Sequence, residues 1–344
     1  LRGGLLMAEQ HPGLGLDVLG TWLPQHVQGA GSRLEAVLIA GGKSNLTYRI
    51  SDGASSWILR RPPVGKLLPS AHDMGREYRM MSALGGTAVP VPVMYAYCDD
   101  AEVLGAPFYV MSEIDGVPYR RATELEALGA DRTRAISERL VDTLVDLHHV
   151  DPASVGLADF GRPEGFLGRQ VQRWRKQFAA AHTRDLPKVD ELFTALEARV
   201  PADAVPGIVH GDYRLDNVLV SPQDEPAAVV DWELATIGDS LTDLALMVVY
   251  GRLAKVSAGT VSDVSEAPGY LDEQQIIDRY AAGSDRDLGD FGFYIALSCF
   301  KLAGIVEGIH YRYVNGQTVG EGFAEAGEAV NPLLDAGLDA LKEN

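Results

Sequence analysis

Three oxygen-bearing side chains, Asp212, Asn217 and Asp231, stand at the ends of two short apolar runs. The first run, Val218 to Val220, follows Ile208-Val-His-Gly-Asp-Tyr-Arg-Leu-Asp-Asn217; the second, Ala228 to Val230, leads straight into Asp231-Trp-Glu233. Between them, Ser221-Pro-Gln-Asp-Glu-Pro226 is rich in turn formers, so the pair reads as a hairpin with a longer loop. Closing that hairpin is expected to bring the three side chains to one edge of a small sheet. Oxygen donors gathered this way suit a hard cation, and Mg²⁺ is ordinarily held by one or two carboxylates together with substrate phosphates. Capping of turns by the same residues would not call for all three in this order.

With Gly238-Asp-Ser-Leu-Thr-Asp243 following, the stretch resembles the catalytic segment of the aminoglycoside phosphotransferase and choline kinase family, a branch of the protein-kinase-like fold. The resemblance implies an α+β protein of two lobes: a small antiparallel-sheet N-lobe and a larger, mostly helical C-lobe. Position by position, it makes Asp212 the residue that orients and deprotonates the acceptor hydroxyl. It gives Asn217 and Asp231 to Mg²⁺, with Asp-Trp-Glu standing where protein kinases carry Asp-Phe-Gly. Arg214, two residues after Asp212, matches an offset at which protein kinases often place a Lys on the transferring phosphoryl group. An ion pair with Asp216, Glu233 or Asp243 is the alternative for it. His210 is expected beneath the loop, Asp243 as its anchor from the next helix, and Glu233 within reach of the metal through water.

The elements that must position these groups begin with a short helix over Leu14 to Trp22. Two strand-like runs follow, Leu34 to Ala40 and Leu46 to Ser51, joined by Gly41-Gly-Lys-Ser-Asn45. Glycines let a backbone approach phosphates closely. This loop lacks both Gly-x-Gly-x-x-Gly and the full Walker spacing, so it is the resemblance that implies ATP contacts at Gly42, Ser44 and Asn45. A third strand, Trp57 to Arg61, carries Arg60 where protein kinases place a phosphate-holding Lys; Arg grips phosphate with a different reach and geometry. Its expected partner is Glu77, on a helix from Gly75 to Leu84 with Tyr78, Met81 and Leu84 on one face. Phe108 to Gly116 reads as a strand that stops in a turn. By the resemblance, the Ser112 carbonyl and Ile114 amide there bind adenine, with Met111 beside the base.

From Ala122 the periodicity is helical: Arg132 to His149, Pro163 to Ala181 with its basic Arg169, Arg173 and Lys176, Val189 to Val200, and the apolar Leu244 to Leu253. Lys255 to Gly269 reads as a loop able to act as a lid. Asp272 to Ala281 is a short helix, Asp290 to Val314 is apolar nearly all round, and Ala324 to Leu341 is interrupted at Asn331-Pro332. The expected division is a flexible start over residues 1–13, a nucleotide-binding lobe over 14–111, a hinge over 112–116 and a catalytic lobe over 117–344.

Composition bounds the function. The 344 residues are enough for two lobes, and the net charge of −18 argues against a nucleic-acid binder, which relies on basic stripes. Two cysteines give no disulfide framework, so a reducing cytoplasm is the expected setting. No uninterrupted apolar run approaches the ~20 residues of a membrane span, so no membrane partner is expected. The expected activity is a Mg²⁺- and ATP-dependent phosphotransferase acting on a hydroxyl of a small molecule. Leu59-Arg-Arg-Pro-Pro63, Leu147-His-His-Val-Asp-Pro-Ala-Ser-Val-Gly156 and the His210 to Asn217 loop resemble the branch of kinase domains fused to acyl-CoA dehydrogenases, which implies a hydroxylated acyl metabolite. An antibiotic phosphotransferase is the alternative favoured by the acidic surface. A nucleotide-binding pseudokinase scaffold is a third, against which Asp212, Asn217 and Asp231 together count.

Overall fold

The computed structural model describes residues 11–39, 45–64, 73–181, 183–256, 262–317 and 326–342. Packing divides the chain into two compact units, Leu1–Asp115 with Ala228–Glu233, and Gly116–Ala227 with Leu234–Asn344.

The first unit is built on α1 (Leu16–His26), β1 (Glu35–Leu38), β2 (Leu46–Ser51), β3 (Ser56–Arg61), α2 (Met74–Leu84), β4 (Met94–Cys98), α3 (Ala101–Leu104) and β5 (Phe108–Ser112). Its strands form one antiparallel sheet in the order β1-β2-β3-β5-β4. Alternation does the sorting: Tyr48 and Ile50 of β2 are buried while Arg49 between them is exposed. Helix α1 sets Leu19 and Leu23 into the same core as Tyr48, Ile50, Leu59 and Phe108. It runs four residues beyond the expected Trp22 and contains Pro24. The i+4 row Leu19, Leu23, Val27 stays buried across the proline, and the Val27 amide still donates to the Leu23 carbonyl at 2.8 Å. Helix α2 opens with the Asp73 side chain accepting from the Arg76 amide, and it buries Met74, Glu77, Met81 and Leu84 along one stripe. A carboxylate therefore sits on the apolar face.

The second unit holds α4 (Ala122–Glu126), α5 (Ala130–His149), α6 (Phe166–Ala180), α7 (Pro187–Glu197), β6 (Gly207–Val209) and β7 (Val218–Val220). Then β8 (Pro226–Val229) leads the chain into its excursion through the first unit, where the Val229 amide donates to the Pro90 carbonyl at 2.8 Å. Back in the second unit come β9 (Thr236–Gly238), α8 (Leu241–Val256), α9 (Glu273–Gly283), α10 (Phe291–Val314) and α11 (Val330–Ala340). Strands β6 and β9 pair antiparallel, Gly207 opposite Gly238 and Val209 opposite Thr236.

Helix α10 is the axis of this unit and packs on α6, α7, α8 and α11. By length and composition it could cross a membrane, yet 72% of its apolar window is buried inside the protein, as expected of a core helix. Two expectations for the C-terminal half differ. Asn331-Pro332 does not interrupt a helix; α11 starts at Val330, so the proline lies in the first turn, where its missing N–H has no intrahelical partner to lose. Residues 262–263 of the expected lid are pinned: Asp263 accepts from the Ala122 amide at 2.7 Å and the Ser262 hydroxyl donates to the Arg120 carbonyl at 3.0 Å.

Candidate active site

The loop after β6 is held from below by one carboxylate. Asp243, fully buried in the first turn of α8, accepts the His210 amide at 2.6 Å on Oδ2 and the Gly211 amide at 2.8 Å on Oδ1. Gly211 has φ +85°, and a Cβ there would lie 2.9 Å from the Leu234 carbonyl, so the turn requires glycine on both counts. Burial alone would push the Asp243 carboxyl up; the bonds and charge from His148, His210 and Gly211 outweigh it and hold it below the usual range. His148 stands 3.6 Å away through Nε2, and its Nδ1 lies 2.7 Å from the Tyr280 hydroxyl. Burial lowers the His148 pKa against the opposing pull of Asp243, and the buried ring packs between Tyr280 and Asp243. From α10, Lys301 donates to the Gly211 carbonyl at 2.6 Å.

On this support Asp212 is held at both carboxylate oxygens. The Tyr250 hydroxyl donates to Oδ1 at 2.6 Å, and Asn217 Nδ2 donates to Oδ2 at 3.1 Å and to the Asp212 carbonyl at 2.9 Å. The amide nitrogen of Asn217 thus closes the loop, leaving its Oδ1 as the atom able to serve a hard cation. Arg214 pairs with Asp216 at 2.9 Å, places Nε 3.5 Å from Asp212 Oδ2 and lays its guanidinium 4.9 Å from the Tyr250 ring centroid. The ion-pair alternative for Arg214 is therefore present, with Asp216 as partner.

In the first unit, Arg60 points from β3 toward two carboxylates. Its Nη2 bonds Asp231 Oδ1 at 2.6 Å, and its Nε lies 3.6 Å from Glu77 Oε2. The side chain is 12% exposed, which rules out a solvated strand end. Arg61 beside it is also buried, donating to the carbonyls of Gly13, Pro62 and Leu104. Asp231 adopts φ +67°, an uncommon conformation that aspartate tolerates better than most residues. Glu77 is wholly buried and receives the Tyr109 hydroxyl at 2.9 Å and the Asn45 amide at 3.3 Å. Asn45 therefore braces Glu77, whereas Gly42 and Ser44 lie outside the described residues. Met111 is buried on β5, Ser112 lies opposite Trp57 with its hydroxyl accepting from the Val93 amide, and Ile114 follows in the turn.

Burial pushes the Glu77 carboxyl up to about 7 from 4.5, against the pull of Arg60 and the Tyr109 bond. The folded-state value lies above the unfolded one, so the unfolded chain releases its proton first. The stability linked to this proton is present below about 4.5 and is lost as pH rises through about 7. The span corresponds to about 3 kcal/mol. Glu77→Gln should flatten the dependence of melting temperature on pH across that window, and an unchanged slope would refute the assignment.

The structure brings Asp212, Arg214 and Asn217 together in the second unit, and Asn45, Arg60, Glu77 and Asp231 in the first. Sequence reasoning missed Tyr250, Lys301 and Tyr109. Tyr250 lies seven residues after Asp243, two turns along the same helix face, and Lys301 is a lone cation in a long apolar stretch; both were available signals. Among the described residues no cluster of three His, Cys, Asp or Glu could hold a metal unaided. Asn217 Oδ1 in the second unit and the Asp231 carboxylate in the first are both oxygen donors of the kind Mg²⁺ takes, an ion that uses few protein ligands and completes its shell with phosphate and water.

Residues 35–281 match the phosphotransferase enzyme family. Rat acyl-CoA dehydrogenase family member 11 is 36% identical over 332 residues, covering 93% of this chain and 42% of that protein. The chain thus spans about two fifths of the length of such relatives. A crystal structure of a provisionally named aminoglycoside phosphotransferase from Ralstonia eutropha has a TM-score of 0.84 at 32% identity, over 96% of this chain and 98% of that one. A thermostable mutant of aminoglycoside phosphotransferase APH(4)-Ia, in ternary complex with AMP-PNP and hygromycin B, has a TM-score of 0.62 at 14% identity, over 93% and 98%. At that identity the second likeness shows the shared protein-kinase-like fold alone.

Proposed function

Because this chain belongs to the phosphotransferase enzyme family, we propose that it uses ATP and Mg²⁺ to phosphorylate a hydroxyl of a hydroxylated acyl metabolite. The observation that carries the reading is the loop geometry: a carboxylate held at both oxygens, on a turn bonded to a buried aspartate. Such chemistry is mostly positioning and charge neutralisation. Asp212 orients the acceptor hydroxyl and takes its proton as the acceptor oxygen bonds the γ-phosphorus. The bond from that phosphorus to the β-phosphate oxygen breaks, releasing ADP. Asn217 Oδ1 and the Asp231 carboxylate would hold Mg²⁺, whose chemistry is to neutralise phosphate charge during transfer. Arg60 grips the phosphate tail, and Glu77 with Tyr109 keeps Arg60 in place. Asn45 braces Glu77, and phosphate contacts at Gly42 and Ser44 are what the family resemblance implies. Adenine is read by the Ser112 carbonyl and Ile114 amide beside Met111, and Arg214 contributes positive charge next to the base.

Two observations support an acyl acceptor. The relatives matched along nearly the whole chain carry acyl-CoA dehydrogenase in their names. The basic face of α6 also lines an open depression with Arg169, Arg173 and Lys176, suited to an acidic handle. Within it Arg169 is tied to the Arg162 and Glu164 carbonyls, while Arg173 lies 5.5 Å over the Trp174 ring. A second reading, an aminoglycoside acceptor, is favoured by the 32% identity to the Ralstonia eutropha protein. ADP release screened against hydroxyacyl-CoAs, free hydroxy acids, amino alcohols and aminoglycosides separates the two.

Nucleotide binding is tested independently of the acceptor. Mg-ATP at ~100 times its Kd should stabilise the fold by ~2.7 kcal/mol and raise the melting temperature accordingly. Arg60→Ala should shrink that shift. No shift with ATP, GTP or ADP in the presence of Mg²⁺ would point to a scaffold instead.

A further inference from the structure

The reading of Asp212 as the base leaves open what sets the angle of its carboxylate. The terminal torsion of an aspartate is broad and two-fold, so a donor on one oxygen alone leaves the group free to swing. Asn217 is such a donor, at 3.1 Å from Oδ2. The other oxygen is met from α8, where the Tyr250 hydroxyl lies 2.6 Å from Oδ1. Burial, then the Asp212 charge, pushes the Tyr250 phenol well above its ordinary value, so the hydroxyl keeps its proton and donates it to Oδ1 as a hydrogen bond.

The tyrosine is itself fixed. Arg214 stacks its guanidinium 4.9 Å from the ring centroid, and Arg214 is held by Asp216 at 2.9 Å. Seven residues earlier on α8, Asp243 holds the backbone of His210 and Gly211. One helix therefore grips the loop twice: Asp243 takes the main chain before the base, and Tyr250 takes the side chain of the base.

We propose that Tyr250 is a positioning residue for Asp212, fixing the rotation of the carboxylate so that one lone pair faces the acceptor hydroxyl. The proposal rests on Asp212 being the base. Rigid placement matters because a misplacement of ~1 Å can cost ~10²-fold in rate.

Tyr250→Phe removes the bond and keeps the ring under Arg214. ADP release from Mg-ATP, with water as the acceptor, is measured for wild type, Tyr250→Phe, Asp212→Asn and the double variant. The expected result is a ~10- to 100-fold fall in kcat for Tyr250→Phe, with KM for Mg-ATP and melting temperature unchanged. Because the tyrosine acts through the aspartate, the double variant should be no slower than Asp212→Asn alone. Unchanged kcat in Tyr250→Phe overturns the proposal. So does a kcat loss that tracks a lower melting temperature, or one that multiplies with the Asp212→Asn loss. If Asp212→Asn turns over as fast as wild type, the base itself is misassigned. That outcome is distinct from failure of the tyrosine alone.

Discussion

Asp212→Ala should lower kcat by ~10²–10⁴-fold, the usual contribution of a general base, while KM for Mg-ATP and the melting temperature stay close to wild type. The side chain is 23% exposed and belongs to no apolar cluster, so its removal opens no cavity in the core. The loop survives because its main-chain supports do not involve the carboxylate. Asn217 still donates to the Asp212 carbonyl at 2.9 Å, and Asp243 still holds the two preceding amides. The local costs are the acceptor of the Tyr250 hydroxyl, one of the two Asn217 bonds and the 3.5 Å pairing with Arg214. Steady-state kinetics with a melting curve check the prediction, and a variant that keeps full kcat removes the mechanism.

Asp243→Ala should behave in the opposite way, destabilising first and losing activity as a consequence. The carboxylate is fully buried and accepts two backbone amides, with His148 3.6 Å away. Its removal strands both donors, at about 1–3 kcal/mol each, so a loss on the order of 3–5 kcal/mol is expected in urea unfolding. Asp243→Asn keeps one acceptor oxygen and should lose less. The native carboxyl is held below its ordinary value. The linked stability is therefore present above the ordinary aspartate range and disappears as pH falls through the native value. A fully stable Asp243→Ala protein would show that the loop is anchored elsewhere.

Much of the scaffold was legible because its signals are local. Alternation in Leu46 to Ser51 marks β2 to the residue, and the order Asp212, Asn217, Asp231 needs only short spacings. Helix α10 was recognisable as buried on several sides from its apolar circumference. What escaped was pairing over distance. Tyr250 meets Asp212 across 38 positions, and Lys301 meets Gly211 across 90. A helical period shows that such residues face inward, but not which loop awaits them. The same limit applies to Asn45: a loop beginning with two glycines suggests phosphate, yet its amide reaches Glu77 on α2. Arg61 has no sequence signal of its own burial, because nothing near it announces the Gly13 and Leu104 carbonyls it serves. Pro24 lies inside a helix that its buried row sustains, and Pro332 belongs to a first turn rather than a break.

The most direct test follows the phosphoryl group itself. ATP labelled at the γ position is incubated with Mg²⁺, the protein and each acceptor class in turn, and products are resolved by mass spectrometry. The account predicts label on a hydroxyl of a hydroxylated acyl compound, formed by wild type and reduced at least ~10²-fold in Asp212→Ala. Label transferred equally by both proteins would contradict it. So would a wild-type protein that binds Mg-ATP and labels no hydroxyl in any class.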